Sequence, residues 1–270
     1  MTEPQQLSSR DNPLLVQLRK LARDPVAYRK LGLLWLEGEH LCSALQARGQ
    51  RPAQAVVADS AWAQPALRAL AGRAPKIVRL PDALFDSISG LESPARLGFV
   101  LPLPAMPSIQ PHAASVVLDR VQDAGNVGSI LRSAAAFGVL QVLALKGTAA
   151  LWSPKVLRAG MGAHFGLQLI EGLEPDDLAT LAVPLLGTAL ATDRWLHTDA
   201  LPQPCAWVLG HEGQGVAPAL LARCNRVLRI PQPGGEESLN VAAAAAVCLY
   251  ESMRLGGVEA QASAGPGWHA

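Results

Sequence analysis

The sequence lacks the short patterns that usually mark disulfide frameworks, zinc sites and redox centres. Its four cysteines include no CxxC pair, and none of its six histidines stands in an HExxH arrangement. We therefore expect reduced thiols and no protein metal site. No apolar run approaches the roughly 18 to 20 residues that cross a bilayer. The first thirteen residues are polar, so we also expect no membrane segment, no secretory leader and a cytoplasmic location.

The common nucleotide-binding fingerprints are missing as well. Neither GxGxxG nor GxxxxGK[ST] occurs, which disfavours a dinucleotide cofactor and a P-loop. The net charge is only +1, but it is distributed unevenly. Residues 1–105 carry 13 Lys and Arg against 9 Asp and Glu, a net +4, whereas residues 106–270 carry 10 against 13, a net −3. A basic excess of this size fits either ordinary surface variation or a polyanionic partner.

A proline-rich stretch divides the chain. Leu101–Pro111 holds four prolines in eleven residues and shows no helical or alternating pattern, which predicts a linker. We predict a first domain over residues 1–105, a linker at 106–112 and a second domain over 113–255. Gly256–Ala270 is rich in Gly, Ala and Ser and is typical of a flexible tail.

Helical and strand-like patterns alternate on both sides of this linker. The first part predicts helices at Pro13–Ala22 (capped by Asn12), Glu37–Ala47 and Pro65–Leu70, and strands at Leu31–Leu36, Ala55–Val57 and Ile77–Leu80. The second predicts strands at Ser115–Asp119, Val139–Leu145, Val183–Gly187, Ala206–Gly210 and Val227–Ile230, and helices at Val127–Phe137, from Lys155 and at Ser238–Leu255. The fold class is therefore α/β: a small α/β domain, then a mostly parallel sheet whose ligands sit at the carboxyl ends of the strands.

Three glycine-containing loops follow predicted strands of the second part. In the first, NxGxxxR, Asn126 is placed to cap a helix, Gly128 to let the backbone approach a ligand, and Arg132 lies one to two turns further on. The second, WVLGHEGQG, sets Glu212 among three glycines, which suits a cationic or hydroxyl-bearing ligand better than a phosphate. The third, RIPQPGGEESLNV, leads into an alanine-rich helix that Ser238 is expected to cap. Each loop alone is also compatible with a purely structural turn.

Taken in order, the three motifs resemble those of the SpoU/TrmH family of RNA 2′-O-methyltransferases. The match comprises NxGxxxR, GxEGxG and IPxxxxxxSLNV, then an alanine-rich helix ending in Tyr250-Glu251. In the first part, SRDNPLLVQLRKL and YRKLGLLWLEGEH resemble the substrate-binding extension of relatives that modify ribosomal RNA, which is similar to the L30e/L7Ae ribosomal-protein fold. The resemblance covers about residues 9–253.

This resemblance implies a trefoil-knotted α/β (SPOUT) catalytic domain, S-adenosylmethionine as cofactor, RNA as substrate and an obligate homodimer with parts of the site contributed across the interface. It assigns Thr188, Gly210, Ile230 and Leu239 to the cofactor. It assigns Asn126, Arg132, Glu212, Ser238 and Asn240 to catalysis and RNA positioning. In the basic first domain we predict phosphate contacts at Arg19, Lys20, Arg23, Arg29 and Lys30.

Relatives are thought to use the arginine of the first motif as a base. A guanidinium has a pKa above about 12, so we prefer Arg132 as the group that holds the phosphate beside the target and stabilises the developing alkoxide. The chain departs from the family pattern at Ala124, where proline is common, at His211, where a small or amide residue is usual, and at Glu236 and Glu237, which add negative charge near the RNA.

Three other functions remain open from the sequence. The RNA substrate is transfer RNA rather than ribosomal RNA, or the protein is a non-catalytic RNA-binding or ribosome-assembly factor of the same fold, or it is an S-adenosylmethionine enzyme that acts on a small molecule. The intact motifs disfavour the second function. The separate basic domain disfavours the third, because looped RNA needs an extended cationic surface.

Overall fold

The computed structural model describes residues 3–234 and 238–256, which fold around two β-sheets. The strands are β1 (Gln5–Gln6), β2 (Leu33–Glu37), β3 (Gln54–Ala58), β4 (Ile77–Leu80), β5 (Leu97–Pro102), β6 (Ser115–Leu118), β7 (Gln141–Leu145), β8 (Gln168–Leu173), β9 (Leu185–Thr188), β10 (Ala206–Leu209) and β11 (Arg226–Leu228). The α-helices are α1 (Pro13–Arg23), α2 (Ala27–Leu31), α3 (Glu39–Ala47), α4 (Asp59–Trp62), α5 (Pro65–Ala71), α6 (Asp82–Ile88), α7 (Ala124–Ala136), α8 (Pro154–Gly160), α9 (Pro218–Leu221) and α10 (Val241–Leu255). Two 3-10 helices lie at Ala163–Gly166 and Pro175–Thr180. None of the described helices combines the length and the apolar character that a membrane crossing requires.

The first sheet is mixed and has the strand order β1-β4-β3-β5-β2. Strands β1, β4 and β3 run parallel, while β5 pairs antiparallel with both β3 and β2. Gly98 of β5 is required by close packing, because a Cβ there would lie 2.2 Å from the Trp35 ring. This ring also meets Phe85 of α6 at 6.1 Å between centroids, so the two aromatic side chains fill the space between sheet and helix.

The second sheet has the order β11-β9-β10-β6-β7-β8, and all of its pairings are parallel. Its central strands are fully buried and mainly apolar, as expected for a sheet covered on both faces. Ala206 lies opposite Ser115 and Leu209 opposite Leu118, so β6 and β10 end together. The predicted fold class, α/β with a mostly parallel sheet, is confirmed. The trefoil knot stays a prediction.

Most predicted elements are present, with shifts of one to three residues at their ends. Asn12 caps α1 as predicted, since its side chain accepts a hydrogen bond from the Leu14 N–H at 2.9 Å. The predicted strand from Leu31 was placed too early, because α2 continues to Leu31 and ends at Gly32 with a left-handed φ of 64°. Leu101 and Pro102 belong to β5, so the connection begins two residues later than the predicted proline-rich stretch. Nearly all of the predicted tail lies outside the described residues.

The two halves of the chain share part of their core. Leu157 of α8 and Phe165 belong to the same apolar cluster as the side chains of the first sheet. Glu171 of β8 joins the halves through polar contacts, because its carboxylate accepts hydrogen bonds from the Tyr28 hydroxyl and from Arg29 Nε at 3.0 Å. It also accepts the Leu151 N–H at 3.0 Å. The domain limits themselves stay a prediction.

His164 is a buried base beside this junction. Its Nε2 donates to the Leu151 carbonyl at 2.9 Å, which leaves Nδ1 without a partner among the described residues. Burial lowers the pKa of His164 to about 4, and the hydrogen bond to Leu151 opposes this shift only in part. The imidazole is therefore neutral in the folded protein near neutral pH.

We expect the free energy of unfolding to fall as the pH is lowered from about 6.5 towards about 4. In this window the unfolded chain binds a proton on His164 that the folded chain does not, so stability rises with pH. The loss amounts to about 3 kcal/mol over the window. Urea denaturation at several pH values measures it. His164→Gln should flatten the dependence in this window, and an equally steep dependence in the variant would contradict the assignment.

Candidate active site

The candidate site lies where the strands of the second sheet end. Thr188 is the last residue of β9, Gly210 follows β10, and Ile230 comes two residues after β11. These three strands are neighbours in the sheet and run in one direction. The three residues that the motifs assigned to a cofactor therefore lie at one edge, next to the loop that follows β6. Leu239, the fourth, is 40% exposed just before α10.

Hydrogen bonds between side chains join all three motif loops. Asn126 Nδ2 of the first motif donates to Glu212 Oε1 of the second at 3.1 Å. Asn240 Nδ2 of the third donates to Asn126 Oδ1 at 2.9 Å. Residues that are up to 114 positions apart in the sequence are thus held in one chain of amide and carboxylate groups. The structure therefore brings Asn126, Glu212 and Asn240 together, while their roles in catalysis stay a prediction.

Glu212 is the acceptor at the end of this series of hydrogen bonds. Its carboxylate also accepts the backbone N–H groups of Asp123 at 3.0 Å and Gln122 at 3.2 Å. Partial burial raises the pKa of Glu212, but the hydrogen bonds from Asp123, Asn126 and Gln122 outweigh it, and the net pKa lies below the usual range. Glu212 is therefore ionised at neutral pH and its oxygens are engaged. This geometry fits a group that positions the first loop better than one that accepts a proton during the reaction.

A second clamp, which the motifs did not indicate, joins the same two loops. The buried Asp119 accepts the Ala217 N–H at 2.6 Å and Arg120 Nε at 2.8 Å. Arg120 Nη1 in turn donates to Gln214 Oε1 at 3.0 Å. Burial raises the pKa of Asp119, yet the hydrogen bonds from Arg120 and Ala217 bring it below its usual range. Arg120 adopts a left-handed φ of 58°, a strained conformation that surrounding contacts must maintain.

The loop after β10 folds tightly on itself. Gly210 has to lack a side chain, because a Cβ there would lie 2.1 Å from the Val216 nitrogen. His211 and Gly215 exchange both of their backbone hydrogen bonds, at 3.0 and 2.8 Å. The His211 ring accepts the N–H groups of Gly213 and Gln214 through Nδ1, at 3.0 and 3.2 Å. This departure from the family pattern therefore has a local role, since the imidazole orders the loop that carries Glu212.

Two predicted helix caps were wrong. Helix α7 is capped by Asp123, whose side chain accepts the Asn126 N–H at 2.8 Å, so the Asn126 side chain is free to bind Glu212. Helix α10 is capped by Asn240, which accepts the N–H groups of Ala242 and Ala243 at 2.9 and 3.3 Å. Ser238 lies outside this helix and is exposed. Glu236 and Glu237 lie outside the described residues.

Gly128 and Arg132 occupy different surroundings on α7. Gly128 was predicted to admit a ligand, but it is buried against α8, where a Cβ would lie 2.3 Å from Ala159 Cβ. The glycine is needed for close helix packing. Arg132 is exposed on the same face of α7 as Ser129 and Ala136. Within residues 3–234 and 238–256 it has no hydrogen-bond or ion-pair partner, and it does not join the Asn126–Glu212–Asn240 chain.

The five predicted phosphate contacts of the first part differ in how far they are already engaged. Arg29 forms an ion pair with Glu171 at 3.0 Å, so its charge is offset within the protein. Arg19 is half-buried and donates to the Arg10 carbonyl, and Arg23 donates to the Ser87 carbonyl at 3.3 Å. Lys20 and Lys30 are exposed. The two lysines are therefore the members of this set most accessible to a polyanion.

Comparison with a family model covers the part of the chain that carries this site. Residues 113–250 match the family model described as the SpoU rRNA Methylase family. These residues contain β6 to β11 and all three motif loops. The chain belongs to the SpoU rRNA methylase family. The resemblance stated from the motifs is thereby confirmed for the family, whereas the L30e-like character of the first part stays a prediction.

Relatives of this SpoU protein extend over most of its length. It is 33% identical over 174 residues to the 23S rRNA (guanosine(2553)-2′-O)-methyltransferase of Bacillus subtilis, covering 63% of this chain and 70% of the relative. It is 31% identical over 265 residues to an uncharacterized tRNA/rRNA methyltransferase of Synechocystis, covering 92% and 93%. The crystal structure of the SpoU methyltransferase AviRb from Streptomyces viridochromogenes with AdoMet shares the fold, with a TM-score of 0.80, 24% identity, and coverage of 90% and 97%.

In this SpoU site, Glu212→Gln should loosen the first motif loop. The substitution replaces one carboxylate oxygen with an NH₂ group, so an acceptor for Gln122, Asp123 or Asn126 is lost at a partly exposed site, which costs about 1 kcal/mol. Hydrogen exchange at the Gln122 and Asp123 amides should accelerate about fivefold. Glu92→Gln, at an exposed carboxylate, serves as the control. Unchanged exchange in the Glu212 variant would show that this clamp does not hold the loop.

Proposed function

We propose that this protein transfers a methyl group from S-adenosylmethionine to a ribose 2′-hydroxyl of RNA, with ribosomal RNA as the substrate. The observation that carries the proposal is the Asn126–Glu212–Asn240 chain, which gathers the three family motifs at the carboxyl edge of the parallel sheet. Family membership and the activity named for the Bacillus subtilis relative support it. The Synechocystis relative covers nearly the whole chain and is named for tRNA or rRNA, so transfer RNA is the alternative substrate.

The residues at this edge fit S-adenosylmethionine. Gly210, Thr188 and Ile230 lie at or just after the ends of three neighbouring parallel strands. Gln232 Oε1 is buried without a partner among the described residues, and an amide oxygen suits an amino-group donor. Leu239 offers an exposed apolar surface nearby. When bound, the cofactor supplies an electrophilic methyl group on a sulfonium. The same cofactor is present in the AviRb structure.

The ribose 2′-hydroxyl is a poor nucleophile, so the protein must align it with the methyl group of the cofactor. In the displacement, the ribose oxygen bonds to the methyl carbon, the carbon–sulfur bond breaks and its electrons remain on sulfur, and the 2′-hydroxyl proton leaves to solvent or an RNA phosphate oxygen. We assign Ser238 and Asn240 to orienting the ribose, and Glu212 to keeping the first loop in position through the Asp123 N–H. A guanidinium offers hydrogen-bond donors and no acceptor, so we assign Arg132 to the neighbouring phosphate and the developing alkoxide.

The decisive experiment is incubation of the protein with labelled S-adenosylmethionine and total RNA from a strain that lacks it. We expect label on the ribose of one ribosomal RNA nucleotide, and a kcat lowered about 100-fold to 1000-fold by Arg132→Ala, because one donor to the developing charge is removed. Arg132→Lys should recover part of that loss with an unshifted pH–rate profile. Label in transfer RNA would select the alternative substrate. No label in any RNA would indicate a non-catalytic RNA-binding factor.

We also propose that the protein acts as a homodimer. The exposed face of α10 carries an apolar stripe of Ala243, Val247 and Tyr250, opposite the buried Cys248 and Leu249. Val247 is 41% and Tyr250 50% exposed, and the Tyr250 ring meets Phe137 at 6.0 Å between centroids. An isologous contact would cover this stripe on both copies. The exposed Arg132, on the adjacent helix α7, then becomes available to the partner's site.

Tyr250→Arg should therefore convert the dimer to a monomer and lower methyl transfer, since a charge would be buried in the interface. Sedimentation velocity at micromolar concentration measures the oligomeric state. Val16→Arg introduces the same charge on α1, where Val16 is also 50% exposed, and should leave the dimer intact. A wild-type protein that sediments as a monomer would rule out the proposal.

We assign RNA binding to residues 1–105, with Lys20 and Lys30 as exposed phosphate contacts. This half carries the basic excess of +4. A ribosomal RNA substrate places the protein in the cytoplasm.

A further inference from the structure

We infer that a cleft formed by Arg51 and Arg73 binds an RNA phosphodiester, which defines a second RNA contact apart from the α1–α2 surface. The inference rests on the proposed function, since it concerns how the same RNA is held. The cleft is a hollow of about 420 Å³ between the end of α3 and the end of α5. Its lining is Gln46, Gly49, Gln50, Arg51, Pro52 and Arg73.

The charges of this cleft are not offset within the protein. Arg51 and Arg73 are both exposed, and neither has an ion-pair or side-chain hydrogen-bond partner in the part of the chain that the structure describes. Two other arginines of the same half, by contrast, are paired: Arg79 with Asp59 at 2.8 Å and Arg96 with Asp82 at 2.8 Å. None of the described residues that line the cleft carries a carboxylate. Arg73 also lines an adjoining hollow together with Glu39, and no hydrogen bond or ion pair joins the two side chains among the described residues.

The cleft is fixed in place. Gln46 Nε2 donates to the Leu70 carbonyl at 3.2 Å, which joins α3 to α5. Gln50 Nε2 donates to the Phe165 carbonyl at 3.4 Å, which joins the cleft to the half that carries the motifs. A Cβ on Gly162 would lie 2.4 Å from Ala44 Cβ, so α3 packs directly on the 162–166 turn. These contacts therefore fix the position of a phosphate bound in the cleft relative to the half of the chain that carries the motifs.

The chemistry of the lining selects a phosphodiester rather than a protein partner. Two guanidinium groups present several N–H donors in forked geometry, which matches phosphate oxygens. Two glutamine amides add polar contacts, and Pro52, the one apolar side chain of the lining, is buried. Gly49, with φ 71°, leaves the rim without side-chain bulk. An apolar protein surface would find little to pack against.

The same arginines also lie near the carboxyl ends of two helices, where a cation offsets the partial negative charge. If that were their whole role, their removal would lower thermal stability and leave RNA binding unchanged. Methylation kinetics, salt dependence and melting temperature must therefore be measured together. The test uses the full-length protein, ribosomal RNA from a strain that lacks it, and a mixed-sequence 20-nucleotide single strand as probe.

The variant Arg51→Ala with Arg73→Ala should raise KM for ribosomal RNA about tenfold while kcat stays within about twofold. The slope of log affinity against log salt for the single strand should fall by about 1.4, since each lost contact on single strands contributes about 0.7. Arg10→Ala with Lys155→Ala removes two exposed charges outside the cleft that likewise lack a side-chain partner among the described residues, and should change neither quantity. Arg51→Lys with Arg73→Lys should retain most of the affinity, and this variant keeps the test valid if the alanine variant fails to fold.

An unchanged KM and salt slope in a folded alanine variant, with wild-type methylation intact, would overturn the cleft as an RNA contact. Equal loss in the control pair would overturn it too, because the effect would then reflect total charge. A wild-type protein that methylates no RNA would instead refute the proposed function, and these outcomes are separate.

Discussion

The parallel direction of the second sheet is the constraint on which the site depends. Because β6, β9, β10 and β11 point the same way, the backbone turns that follow them are delivered to one edge, although they come from segments far apart in the chain. These turns also need hydrogen bonds between them to hold their relative positions. Glu212 supplies one connection and Asp119 another, and both carboxylates accept hydrogen bonds from backbone and side-chain donors. The edge is thus a polar scaffold ordered before any ligand arrives.

Much of this arrangement was predictable because each motif follows an apolar run. Buried strands of the SVVL and AWVL type end abruptly in polar or glycine residues, which locates the loops well. The choice of cap was harder, since Asp123 and Asn126 both carry suitable side chains and only the three-dimensional contacts assign one to the helix and the other to Glu212. Gly128 posed the same difficulty. A glycine in the sequence is compatible with the close approach of either a ligand or a neighbouring helix. That the neighbour is α8 depends on the tertiary fold, which the residues around Gly128 do not reveal.

Charge was the least predictable property. A run of basic residues along α1 and α2 marks a cationic surface by sequence, yet Arg29 is neutralised by Glu171 from the other half. Arg51 and Arg73 are 22 positions apart and show no pattern along the chain, but the fold sets them around one hollow without a carboxylate in its lining. Which cations remain available to a polyanion is decided by long-range pairing, which no window of sequence contains.

The placement of Leu157 and Phe165 in the apolar cluster of the first sheet bears on how the molecule can be handled. The connection at residues 103–114 looks like a natural place to cut, but separation there would strip two large side chains from the interior of one fragment and leave them bare on the other. It would also break the hydrogen bond from the Tyr28 hydroxyl to the Glu171 carboxylate. The halves are therefore better regarded as one cooperative unit with two sheets than as modules for independent expression or exchange between relatives.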